Sequence, residues 1–88
     1  MFEWDEAKRL WTIGNRGLDF VDATLAFDGR PVVHFSARLG SEQRMMTIAM
    51  INGKSYAVVW TWRGSNRRII SFRRARDEEE EQYRALYR

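Results

Sequence analysis

The chain predicts an α+β fold, helices packed against one four-stranded antiparallel sheet, and three observations carry that expectation. Residues 55–63 alternate as a strand, with Tyr56, Val58, Trp60 and Trp62 on one face and Ala57, Val59, Thr61 and Arg63 on the other. Turn residues crowd between the apolar runs, as Asn52-Gly53 and Gly64-Ser65-Asn66, and leave room only for hairpin connections. Helical spacing marks both ends, as Trp4, Ala7 and Trp11 and as Tyr83, Leu86 and Tyr87. Eighty-eight residues are enough for one domain spanning 1–88, with no second core.

The elements follow in order. Residues 4–13 read as a first helix, with Asp5 and Glu6 in the dipole-favoured first turn and Gly14-Asn15 as its stop. Asp19 is a good N-cap for a second, short helix that ends near Phe27, before the turn Asp28-Gly29-Arg30-Pro31. Four strands are expected at 32–37, 44–51, 55–63 and 67–74, in an antiparallel meander. In the last of these, alternation sets Arg67, Ile69, Ser71 and Arg73 on one face and Arg68, Ile70, Phe72 and Arg74 on the other. Residues 77–87 form the closing helix, whose run of glutamates suits an N-terminus.

Charge is divided along the chain. Residues 31–76 hold nine bases against Glu42 alone, whereas the segments on either side are acidic. Such a cationic middle fits an anionic partner such as nucleic acid, or else pairs internally with the acidic helices. The chain has no cysteine, which excludes a disulfide framework and a thiolate zinc site. One histidine and scattered acids make no recognisable metal-ligand set. No apolar run approaches a membrane span, and charged residues near the start do not read as a signal peptide, so a cytoplasmic protein is expected.

Several motifs, in order, resemble those of the BrnT family. They are Trp4-Asp5-x-x-Lys8, Gly17-x-x-Phe20, Val58-Val59-x-Thr61-x-Arg63-Gly64, and Arg68-Ile69-Ile70-Ser71-x-Arg73-x-Ala75 with Tyr83 beyond. The resemblance implies a RelE/BrnT-like fold and a ribonuclease toxin of a type II toxin–antitoxin pair that cleaves RNA without metal or other cofactor. It also implies a BrnA-like ribbon-helix-helix antitoxin as partner, with operator DNA reached only through that antitoxin. One departure stands out. Where the family carries Lys-His-Gly this chain has Asn15-Arg16-Gly17, and Thr12 replaces an asparagine, so a weakened or inactive toxin that only binds is the alternative.

Metal-free RNA cleavage uses the neighbouring 2′-hydroxyl as nucleophile and needs cations around a phosphorane-like transition state. Arginine suits that task, because its fork donates two hydrogen bonds and keeps its charge. Arg44 and Arg63 are the expected phosphate clamp, since a tight Asn52-Gly53 turn brings their strand ends together. Arg73 and Arg38 are supporting cations, with Arg16 and Arg67 as further RNA contacts. Glu42 is the candidate general base, its alternative being an ion pair with Arg44 or Arg38. Trp62, nearest the strand end, is the aromatic expected to stack on a base, while Trp60 packs in the core beside Trp4 or Trp11. His34 and Tyr83 read as structural.

Overall fold

A computed structural model describes the backbone of residues 1–39 and 41–87, with side chains described outside 37–39. The chain runs β1 (Phe2–Trp4), α1 (Glu6–Arg16), α2 (Phe20–Ala23) with a 3-10 turn over Thr24–Phe27, β2 (Val32–Leu39), β3 (Glu42–Ile51), β4 (Lys54–Arg63), β5 (Asn66–Arg74) and α3 (Asp77–Leu86). The sheet has five strands in the order β1-β5-β4-β3-β2. Strands β2 to β5 are antiparallel neighbours, and β1 pairs parallel to β5 through Phe2↔Arg67, Glu3↔Arg68 and Trp4↔Ile69.

The expected four-stranded antiparallel sheet preceded by two helices is therefore corrected. The fold remains α+β, but its sheet is mixed and its first element is a strand. The reason lies in Asp5. Its backbone is extended (φ −81°, ψ 118°) and its carboxylate accepts the Ala7 N–H at 2.9 Å, so it caps the helix and is not part of it. Trp4 is thereby released to the sheet, where it packs edge-on against Phe20 at 6.3 Å between ring centres. Gly17, in the left-handed region at φ 68°, closes α1. Asn52 and Gly53 both have positive φ, as a two-residue hairpin of primed type requires.

One face of the sheet is sealed by α2 and the 3-10 turn. Phe20, Ala23 and Ala26 pack there on Val58, Trp60, Ile69 and Phe72. On the other face Tyr83 of α3 covers Ile48 and Ala57. The strict alternation expected for β5 does not hold. Val59 pairs with Ser71 and Trp60 with Ile69, so Ile70 is an extra residue in β5. This bulge lets Ile69 and Phe72, three apart, both enter the same core, each 1% exposed. Trp60 lies in the core as expected, edge-on to Phe27 and Trp62, and Trp4 packs against the same cluster, whereas Trp11 is exposed. Among the described residues no helix is long and apolar enough to cross a membrane.

Candidate functional site

The bulge also shapes a surface cavity. Met45 lies opposite Trp60, whose ring belongs to the core beneath α2, so Arg44 and Thr61, each one residue along, turn to the other face. Arg68 is the cross-strand partner of Thr61 and joins them. Together with Arg63, the bulged Ile70, Glu42 and the first turn of α1, these residues line a cavity of about 190 Å³. Asp5, the N-cap, and Lys8 in the first turn of α1 reach it from the helix start. Four cations thus face two carboxylates across one small space.

The cations differ in how far they are engaged. Arg68 donates to Glu3 at 2.8 Å, and this bond, with a second from Asn66, holds the Glu3 carboxyl below its ordinary range. Among the described residues Arg44 has one ion-pair contact, at 3.4 Å with Glu42, and its Nε is buried without a hydrogen-bond partner. An orphaned donor of this kind costs about 1–3 kcal/mol. Among the described residues, Arg63 and Lys8 form no ion pair. The Asp5 carboxylate is engaged in its cap, which leaves Glu42 as the acid with weaker ties. Among the described residues no three His, Cys, Asp or Glu side chains are grouped so as to hold a metal ion.

The remaining expected site residues lie elsewhere. Arg73 makes a two-pronged pair with Glu79 of α3 at 2.8 and 2.9 Å, and that pairing lowers the carboxyl and raises the guanidinium. Arg16 donates to the Phe72 carbonyl at 3.1 Å, with the Trp11 ring 5.3 Å away. Arg67 sits among Phe27, Trp60 and Trp62, 4.0 to 4.7 Å from their ring centres, and burial lowers its pKa. Trp62 is 55% exposed beside it. The Arg38 side chain lies outside the described residues. His34 Nδ1 lies 2.8 Å from the Thr47 hydroxyl, and Tyr83 donates to the Pro31 carbonyl beneath α3.

A family model described as the ribonuclease toxin BrnT of type II toxin–antitoxin systems matches residues 4–79. The chain belongs to the BrnT family. Its class is therefore that of ribonuclease toxins, with RNA as substrate and an antitoxin as partner. No curated protein sequence matches it.

The BrnT match includes every residue of the cavity wall. Three of its charged residues, Asp5, Lys8 and Arg68, are not among the site residues expected from sequence, although each stands within a BrnT-like motif. The spacing of Asp5 and Lys8 was their available signal: an N-cap and the residue three further on face the same way from a helix start. At the positions expected from sequence to depart from the family pattern, the side chains turn to backbone. Thr12 donates to the Lys8 carbonyl and Asn15 to the Trp11 carbonyl, and neither lines the cavity, nor does Arg16.

Proposed function

We propose that this toxin is a metal-independent endoribonuclease that cleaves single-stranded RNA at the cavity between the start of α1 and the end of the sheet that carries the β4–β5 turn. The observation that carries this reading is the convergence of Lys8, Arg44, Arg63 and Arg68 with Glu42 on one space, with Arg44 Nε unpartnered. Arg44 and Arg63 clamp the scissile phosphate and stabilise the charge that grows on its oxygens. Glu42 accepts the proton of the 2′-hydroxyl as its oxygen attacks phosphorus, and the bond to the 5′-oxygen breaks. Lys8 protonates that leaving oxygen. The products are a 2′,3′-cyclic phosphate and a 5′-hydroxyl. Arg68, anchored by Glu3, adds to the field, and Arg73 is a positioning residue that holds α3 against β5 through Glu79.

Arg38, Arg16, Arg67 and Trp62 extend the RNA contacts beyond the cleaved bond. A BrnA-like ribbon-helix-helix antitoxin neutralises the protein and carries operator binding, which sets the pair in the cytoplasm. The test is cleavage of a short RNA by purified protein, read by the cyclic phosphate end, together with expression without antitoxin in growing cells. Cyclic ends and growth arrest, both relieved by Arg63→Ala, are expected. Intact RNA and normal growth with folded protein reject it.

One observation favours a second reading, a toxin homologue that binds RNA or antitoxin without cleaving. Arg16 is the one cation left where the BrnT family carries Lys-His, and its guanidinium is occupied by the Phe72 carbonyl. Salt-sensitive RNA binding with no cyclic phosphate distinguishes this reading.

A further inference from the structure

Beside the phosphate cavity lies a second one of about 430 Å³, lined by Glu42, Gln43, Met45, Thr61 and Trp62. The two share Glu42 and Thr61 at the same end of the sheet and open on its opposite faces: Gln43 and Trp62 alternate to the α2 side with Met45 and Trp60, Arg44 and Arg63 to the other. Their chemistry differs. The first is ringed by cations, whereas the second offers an indole, a thioether and a carboxamide. Its volume lies within the roughly 300–1,000 Å³ typical of small-molecule sites.

Trp62 is held in place from behind. Its ring meets Trp60 edge-on at 5.2 Å, and the Arg67 guanidinium lies 4.7 Å from the ring centre. Trp60 is fixed in turn by its indole N–H, which donates to Thr47 at 2.8 Å. An indole that is more than half exposed yet braced by a buried aromatic and a cation is a preformed platform. Gln43 is similarly oriented: one amide N–H donates to Ser36 at 2.8 Å, and among the described residues the carbonyl oxygen and the second N–H are unused. A flat apolar face with an oriented donor–acceptor pair beside it suits an unstacked nucleobase, read on its edge.

Building on the ribonuclease reading, we propose that this second chamber is a nucleobase subsite: the base flanking the scissile phosphate stacks on Trp62 while Gln43 hydrogen-bonds its edge. The toxin then prefers a base at one position next to the cut, and the preference resides in Gln43 while the stacking resides in Trp62. Continuity with the cationic cavity around the strand ends at Glu42 and Thr61, and the Arg67 guanidinium behind Trp62, select RNA over an apolar protein segment as the occupant.

The test uses DNA oligonucleotides carrying a single ribonucleotide, so that only one bond can be cut by 2′-hydroxyl attack. The flanking base on each side is varied among the four bases and an abasic site. One side is expected to matter, with abasic substitution there lowering kcat/KM by roughly 5- to 150-fold, the range of a single base–aromatic stack. Trp62→Ala should impose a similar loss on the intact oligonucleotide and little further loss on the abasic one. Gln43→Ala should flatten the base preference. A parallel measurement needs no cleavage: an all-deoxy oligonucleotide with 2-aminopurine at the flanking position should be quenched on binding, and Trp62→Ala should abolish the quenching. If no oligonucleotide is cut but quenching depends on Trp62, the base subsite stands and the nuclease reading falls. Equal cleavage of intact and abasic oligonucleotides overturns the subsite and leaves the nuclease standing. Quenching that survives Trp62→Ala also overturns it.

Discussion

Replacing Arg44 by methionine is expected to remove cleavage without cost to the fold. Arg44 Nε is buried without a hydrogen-bond partner, a defect of about 1–3 kcal/mol, and the Glu42 contact that offsets it is long and solvent-screened, contributing about 0–1 kcal/mol. Methionine keeps the apolar stem against the strand and discards both terms. The balance is a gain of about 1 kcal/mol, which in a domain of this size raises Tm by about 4–8 °C. Transition-state stabilisation goes the other way, since loss of one preorganised donor to a developing anion typically lowers kcat by about 10²–10³-fold. Urea unfolding followed by tryptophan fluorescence measures the first effect, and release of cyclic-phosphate RNA ends measures the second. A variant that is less stable by more than about 1 kcal/mol, or one that cleaves at the native rate, refutes the reasoning: Arg44 would then serve the fold.

The other predictions rest on neighbouring groups. Arg73→Ala strands the nearly buried Glu79 carboxylate and is expected to destabilise by about 3 kcal/mol, with Arg73→Met combined with Glu79→Met recovering much of it in chemical denaturation. Glu42→Gln should retain RNA affinity in a filter-binding assay while lowering kcat by about 10²–10⁴-fold, the usual span for a general base. Arg63→Ala should flatten the log–log salt dependence of binding by about 0.7, the share of one single-strand phosphate contact. Folding stability should hold down to about pH 4.5 and then fall. The carboxyls of Glu3, Asp19, Glu79 and Glu80 are all lowered by hydrogen bonds, from arginine in the first three cases and from Ser55 in the last, and Asp28 is lowered to about 2 by Arg30. A depressed folded pKa means stability present above the unfolded value and lost as acid protonates the folded group, which sets the window at about pH 4.5 to 2. Tm measured across that range checks it.

What was legible in the sequence was local. The Asn52-Gly53 hairpin is decided by two residues that tolerate positive φ, and it brings the end of β4 to the start of β3, hence Arg63 to Arg44. The Asp19 cap is equally local, its carboxylate accepting the Val21 N–H. What was not legible depends on distant partners. Strand β1 is three residues long and is defined by pairing with residues 67–69, so no periodicity within it could reveal it. The bulge at Ile70 hides among apolar neighbours, because Ile69 and Ile70 each suit either face. Lys8 joins the site only because β1 lays the start of α1 against β5, a consequence of the strand that could not be read.

The cationic segment could have been explained without any ligand, had its arginines paired with the acidic helices. The structure limits that account. Of the nine bases in residues 31–76, ion pairs among the described residues engage Arg44, Arg68 and Arg73, and only Arg73 is held by the acidic helix α3. The glutamate run of α3 is instead spent on its own N-terminus and on Ser55: Glu79 accepts the Arg76 N–H and Glu80 accepts the Ser55 hydroxyl. Arg63 and Lys8 are left facing the cavity with Arg44, whose single carboxylate contact is long. Pairing with α3 therefore engages Arg73, and among the described residues it leaves Lys8 and Arg63 without an ion pair at the cavity, where an entering phosphate would find them.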